Sequence, residues 1–235
     1  MLIRKIIPSS ETILVGKHKK MIKTVWVLGA GKFGLKAVEQ IRHMHPKVNL
    51  TVVDQKKENS VSIISAHGVE YVRGDGIEFL DKELLETGGP DWIIPAIPIH
   101  VASEWIKRRL SSTRAVRAMD LPERVVDMLP NTLRGKQGEL YSSIADFFCP
   151  DDCVEPYGIC TITKEKRAYR LYDLLSSIQL KPYKTVVVKS RQICAGVGGY
   201  RPADLISALK EVRRYDSPVL VCTSCKCHAV VSAFQ

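Results

Sequence analysis

Short apolar runs and helical stripes take turns along the first half of the chain. KTVWVLG, at 23–29, is a continuous apolar run ending in glycine, the pattern of a strand buried on both faces. Phe33, Leu35, Ala37, Val38, Ile41 and Met44 then recur at helical spacing until Pro46 ends the helix. The alternation continues through strand LTVVD, helix NSVSIISAH, strand VEYVRGD, helix FLDKELLETG, strand DWIIPAIP and helix HVASEWIKRRL. Strand–helix units joined by short connections predict a parallel sheet with right-handed crossovers.

Beyond Ser111 the rhythm breaks. A helix in LPERVVDML, a turn at LRGKQGE and an extended GELYSSIADFF are expected next. Helix KRAYRLYDLLSSIQ, strand KTVVVK, a glycine-rich turn CAGVGGYRP, helix ADLISALKEVRR and a last strand or hairpin around VLVCTSCKCHAVV follow. The expected fold class is α/β, a Rossmann-like doubly wound parallel sheet with a cysteine-rich C-terminal half. Residues 1–21 read as an N-terminal extension, in which ETILVG suits an edge strand. Residues 22–110 read as a dinucleotide-binding domain, and 111–235 as an α/β half that completes or caps the same sheet.

The chemistry of the first half is concentrated in Gly29-Ala30-Gly31-Lys32-Phe33-Gly34, a G-x-G-x-x-G between a strand and a helix. Gly29 permits the tight turn, Gly31 lets backbone approach a pyrophosphate, and Gly34 lets helix and strand pack closely. The helix N-terminus offers unpaired N–H groups and the positive end of its dipole to phosphates. Asp54, twenty residues after Gly34, ends the next strand and can accept both ribose hydroxyls, which favours NAD(H) over NADP(H). Lys56 and Lys57, just beyond, could accommodate a 2′-phosphate and keep NADP open.

The stretch VWVLGAGKFGLKAVEQI…LTVVDQ…GVEYVRGDGIEFLDKELLETGGPDWIIPAIP resembles the nucleotide-binding lobe of the potassium-uptake regulators, the RCK or KTN domain, over about residues 22–110. The likeness rests on the glycine motif, on Asp54-Gln55 at the end of the second strand, and on Gly74-Asp75 after the third. It implies an NAD-binding lobe, a role for Asp75 beside the adenine, and a regulatory subunit that reads nucleotide state. Read from its position alone, Asp75 suits a helix N-cap.

The second half carries the cysteines. Cys149, Cys153 and Cys160 are spaced C-x3-C-x6-C in a segment kept irregular by Pro150, Pro156 and Gly158. Cys222, Cys225 and Cys227, followed by His228, make C-x2-C-x-C-H near the chain's end. A C-x2-C turn between strands is a knuckle of tetrahedral zinc sites, and loop thiolates also suit iron–sulfur clusters. Neither group is a complete four-ligand set, so the two are expected to form one split thiol site for an iron–sulfur cluster or zinc. A redox dithiol at Cys222/Cys225 is the competing reading, and Cys194 reads as a buried core thiol. Asp151-Asp152 is expected to raise the neighbouring thiol pKa values.

Composition narrows the classes. A chain of 235 residues with 45% apolar and 26% charged residues suits a soluble globular protein, and no apolar run reaches membrane-span length. The start lacks the apolar core of a signal peptide, so the expected compartment is the cytoplasm, where dense cysteine favours metal or redox roles over disulfides. The net charge of +10 favours acidic partners, but the basic residues are spread out and lack interleaved aromatics, which argues against nucleic acid. His100, after the fourth strand, is a weak candidate for a proton relay, and Lys189-Ser190-Arg191 before GVGGYR suggests an anion site. The expected partners are a dinucleotide and a small-molecule or protein redox partner, with a homo-oligomer left open. Two function classes follow: an oxidoreductase passing hydride or electrons between NAD(H) and a cluster or dithiol, or a non-catalytic nucleotide sensor with a structural zinc.

Overall fold

The computed structural model describes residues 22–56, 68–155 and 158–235. The N-terminal extension, Lys57 and the whole stretch NSVSIISAH lie outside the described residues. Strands β1 (Thr24–Leu28), β2 (Asn49–Asp54), β3 (Glu70–Arg73) and β4 (Trp92–Pro95) form a parallel sheet in the order β3-β2-β1-β4. The apolar run of β1 is explained by its two covered faces. Val25 and Val27 meet Ala37, Val38 and Ile41 of α1 (Lys32–Met44), while Leu28 faces the other layer, with α2 (Gly76–Glu83) and α3 (Val101–Ser111).

The second half builds a sheet of its own. After β5 (Ala118–Met119) and the short α4 (Glu123–Asp127) come β6 (Thr132–Arg134), β7 (Leu140–Ser143), α5 (Leu171–Ser176) and β8 (Lys184–Lys189). The chain ends with β9 (Arg191–Cys194), β10 (Val197–Gly199), α6 (Pro202–Val212), β11 (Val219–Ser224) and β12 (His228–Phe234). The sheet order is β6-β7-β12-β11-β8, with β5 also on β12. Only β8 and β11 run parallel, and the other pairs are antiparallel. Helices α3 and α6 are shared between the two sheets, where Trp105, Ile106, Leu205 and Leu209 join Ile93 from one side and Val186 and Val221 from the other. Helices α4 and α5 cover the far face through Val125, Leu171 and Leu175.

Three expectations change here. Of the two expectations for residues 111–235, completing or capping the parallel sheet, the first is not met: β8, β11 and β12 pair with one another in a sheet of their own. At this edge β4 instead meets the separate two-stranded β9–β10 sheet, through a bridge from Ile93 to Tyr200, just after β10, closed by two backbone hydrogen bonds of 2.9 and 3.0 Å. A side chain at Gly199 would come within 2.6 Å of the Ile93 carbonyl oxygen, so glycine there allows the approach. CAGVGG is the β9–β10 hairpin and not a phosphate turn. KRAYRLYDLLSSIQ is helical only over Leu171–Ser176, because the backbone before it pairs with the cysteine loop: Cys160 N donates to Glu165 O, and Arg167 N donates to Gly158 O.

His100 is 4% exposed and sits between the halves, with Nδ1 2.8 Å from Ser232 Oγ and Nε2 3.0 Å from Thr223 Oγ1. Burial, with a smaller push from Lys107, lowers its pKa to about 3. The ring is therefore neutral and committed to two hydroxyls, so it joins β4's end to β11 and β12 where a proton relay was expected. Since the unfolded chain takes up a proton near the ordinary value of 6.5 and the native ring does not, this contribution is full above that pH and is lost as pH falls toward 3. Urea midpoints should fall across that range, and the fall should be shallower in His100→Asn, which keeps polar atoms but does not titrate; equal slopes would reject the role.

Candidate functional site

The glycine turn opens α1 as expected. Gly29 has φ +109°, and a side chain there would lie 2.7 Å from Ala96 O; one at Gly34 would lie 1.9 Å from Gly29 O. Gly31 differs, since nothing of the protein lies within 4 Å of where its Cβ would stand. The cap of α1 has no side-chain hydrogen bond and its first turn holds no acidic residue, leaving the early N–H groups free of an internal anion. Asp54 braces the turn from β2: Oδ2 accepts from Ala30 N at 2.7 Å and Oδ1 from Lys56 N at 2.8 Å. Each oxygen keeps a further lone pair. Asp75 caps α2 by accepting from the N–H groups of Ile77 and Glu78, and Gln55 Nε2 donates to its other oxygen at 2.9 Å. Lys32 and Phe33 are exposed, the ammonium 5.4 Å from the ring centroid.

Beside Phe33 opens a cavity of about 780 Å³, and Cys149, Cys153, Cys160, Cys225, Cys227 and His228 all line it. The two cysteine groups, separated by some sixty-five residues between Cys160 and Cys225, are thus brought together by the fold. The β11–β12 turn directs Cys225 into the cavity, where its Sγ accepts from Cys227 N at 3.4 Å and His228 N at 3.2 Å. Cys160 is held likewise by the N–H groups of Thr163 and Ile162. Each of these sulfurs faces the amides two and three residues ahead. Among the described residues, no three His, Cys, Asp or Glu donors stand close enough together to hold a single metal ion.

The thiols differ in charge. Burial pushes Cys160 up, but the N–H groups of Thr163 and Ile162, the Thr163 hydroxyl and the Arg167 guanidinium outweigh it and bring the pKa to about 7. Cys160 is 3% exposed and covered by its own loop. Burial dominates elsewhere: it raises Cys149, aided by Cys153 and Cys160, it raises Cys225 despite its two amides, and it pushes Cys227 up to about 12, aided by Cys225. Asp151 does not act on the thiols as expected. Its carboxylate turns to Lys32 Nζ at 2.5 Å and its carbonyl accepts from Lys36 Nζ at 2.6 Å, which neutralises it.

Those contacts pin the first cysteine loop to the helix that the glycine turn opens. On its other side the loop meets the β9–β10 hairpin. Gly196, at φ +70°, donates to Cys153 O at 3.1 Å, and a side chain on it would overlap Asp151 O. Gln192 bridges Cys153 O and Glu155 N, and Glu155 Oε1 accepts from Lys226 N at 2.8 Å in the second cysteine turn.

One expected member stays outside. Cys222 is fully buried among Leu220, Val231 and Leu175, its thiol held well above the usual range by burial, and strand alternation turns it away from the cavity. It is a core thiol and no partner to Cys225. Cys194 is likewise buried, its pKa pushed up to about 11, as read from the sequence. Lys189-Ser190-Arg191 forms no anion cradle, since Arg191 pairs with Asp204 and Lys189 lies over the Tyr172 ring. Sequence reading missed Arg167 and Glu155. Arg167 stood near the start of KRAYRLYDLLSSIQ, read as a helix, and its one signal was its place seven residues after Cys160.

The chain belongs to the AF_1314_C family, described as "Uncharacterized protein, C-terminal domain", which matches residues 102–235. That span starts in α3 and takes in every cysteine, leaving the glycine turn outside it. A relative from Archaeoglobus fulgidus, named "Uncharacterized protein", is 26% identical over 224 residues, covering 89% of this chain and 98% of its own. An apo, histidine-tagged saccharopine dehydrogenase (L-Glu forming) from Saccharomyces cerevisiae is similar over 38% of this chain and 20% of its own, at 22% identity and a TM-score of 0.30. A likeness of that extent carries no argument about function. No helix among the described residues is long and apolar enough to cross a membrane.

In the metal-free protein the alkylation of Cys160 by iodoacetamide, slowed by the loop that covers it, should rise to half its maximal rate near pH 7. Peptide mapping across a pH series checks this, and a half-maximum at the ordinary thiol value of 9.0 would contradict the charge pattern.

Proposed function

We propose that the protein binds a dinucleotide, NAD(H) in preference to NADP(H), at the carboxyl edge of the parallel sheet, in a cytoplasmic redox or sensing role. The strand order β3-β2-β1-β4 matches one half of the doubly wound dinucleotide fold, with the glycine turn following its central strand. The observation that carries the reading is Gly31. Gly29 and Gly34 are required by contacts within the protein, but Gly31 faces open space at an uncapped helix start, where a pyrophosphate needs close backbone approach. Asp54 would take ribose hydroxyls on its remaining lone pairs, and Asp75 and Gln55 would extend the same edge toward the adenine. The bound nucleotide would supply hydride chemistry; the residues here bind and orient it.

The cysteine pocket beside α1 is the second part of the reading, a thiol site that holds an iron–sulfur cluster or zinc, or works as a dithiol. A nucleotide sensor like the regulators that residues 22–110 resemble is the second reading, and the contact of Asp151 with Lys32 and Lys36 favours it, because it joins the thiol loop to the nucleotide helix.

Calorimetric titration with NAD(H) and NADP(H) tests the proposal. Gly31→Val should weaken NAD(H) binding roughly tenfold or more by filling the approach, and Asp54→Ala by a similar factor through loss of a charged hydrogen bond. Asp54→Ala should also reduce the preference for NAD(H) over NADP(H). Unchanged binding in both variants would end the dinucleotide reading.

A further inference from the structure

We propose that the cysteine pocket is the seat of an iron–sulfur cluster, anchored by Cys160 and Cys225 and completed from Cys149, Cys153 and Cys227. This rests on reading the pocket as a thiol site and goes further by naming its sulfurs and its occupant. Five cysteines from two segments distant in sequence line one cavity, while Cys194 and Cys222 are folded away into the cores. Two of the five sulfurs already receive pairs of backbone N–H groups. Cys225 Sγ receives the N–H groups of Cys227 and His228, and Cys160 receives those of Ile162 and Thr163. A pair of amides aimed at one sulfur stabilises the thiolate, the form that binds metal. Arg167 reaches Cys160 and sits within electrostatic range of Cys149 and Cys227, offsetting the charge that several thiolates would bring together.

Thiol number bears on the occupant. Cys225 Sγ and His228 Nδ1 lie 3.8 Å apart, but no third donor joins them to hold a single metal ion among the described residues. Five cysteines line the cavity of about 780 Å³, one more than a single tetrahedral zinc takes. A group of several irons bridged by sulfide has cysteine thiolates as its ordinary ligands. The loop that carries Cys149 and Cys153 is already fixed by Gly196, Gln192 and the two lysines of α1, so the cavity walls are positioned without the cluster.

The test uses the full chain, made metal-free and incubated anaerobically with ferrous iron and sulfide, with a parallel incubation in zinc. The expected result is retention of iron and sulfide in equal amounts after gel filtration, with the visible absorbance of a cluster. Cys160→Ser and Cys225→Ser should lose it, while Cys194→Ala and Cys222→Ala keep it. Far-UV circular dichroism before loading shows whether each variant folds; should an anchor variant not fold, the iron and sulfide content of the wild type decides by itself. Retention of one zinc with no iron or sulfide would overturn the cluster and leave the thiol site standing. Retention of neither, with every pocket thiol freely alkylated after both incubations, would overturn both the cluster and the metal reading of the pocket. Nucleotide titration remains independent of all these outcomes.

Discussion

Helix α3 is covered on more sides than one sheet can cover. Val101, Ala102, Trp105, Ile106 and Leu110 are all buried, so the parallel sheet takes one side and α6 with the mixed sheet takes the other. This shared helix layer is the constraint on which both sites depend. It brings β4 beside β10, which lets the β9–β10 hairpin bridge Ile93. The hairpin then presents Gly196 to the loop of Cys149 and Cys153, and that loop is held against α1. The same sandwich seals His100 between two hydroxyls, giving a buried polar joint with both ring nitrogens satisfied.

The glycine turn and the cysteine cavity are therefore neighbours with one common wall. Phe33, in the first turn of α1, lines the cysteine cavity, and Lys32 and Lys36 of the same helix hold Asp151 of the cysteine loop. A change of charge or position in that loop is therefore a change at the start of α1, where a dinucleotide phosphate would lie. Glu155 extends the connection to the second cysteine turn through Lys226. The cavity's wall is thus one hydrogen-bonded unit running from the glycine turn to the β11–β12 hairpin.

Much of the first half was legible because its signals are local. The apolar run of β1, the stripe of α1 and the glycine spacing each depend on a few adjacent residues, and all three appear as read. The second half was harder because its backbone partners are distant. KRAYRLYDLL has helical composition, yet Arg167 near its start gives its amide to Gly158 O in the loop of Cys160. CAGVGG has the glycines of a phosphate turn, yet the edge of β4 and the loop of Asp151 use the space those glycines leave. In the final cysteine group, Cys222 and Cys225 look like a C-x2-C pair, but one lies within β11 facing the α5 layer and the other in the turn.

The sequence by itself determined that a parallel α/β unit opens with a phosphate-type glycine turn, and that thiols crowd two segments of the second half. Both follow from short-range rules: period, turn chemistry and residue type. Only the tertiary structure decided that five of the cysteines share one cavity, that Cys222 does not, that Arg167 and Glu155 belong there, and that His100 is a sealed joint. Those outcomes depend on which strands pair and which faces are buried, and the free energy of closing two sheets on a shared helix layer is set by contacts between residues a hundred or more positions apart.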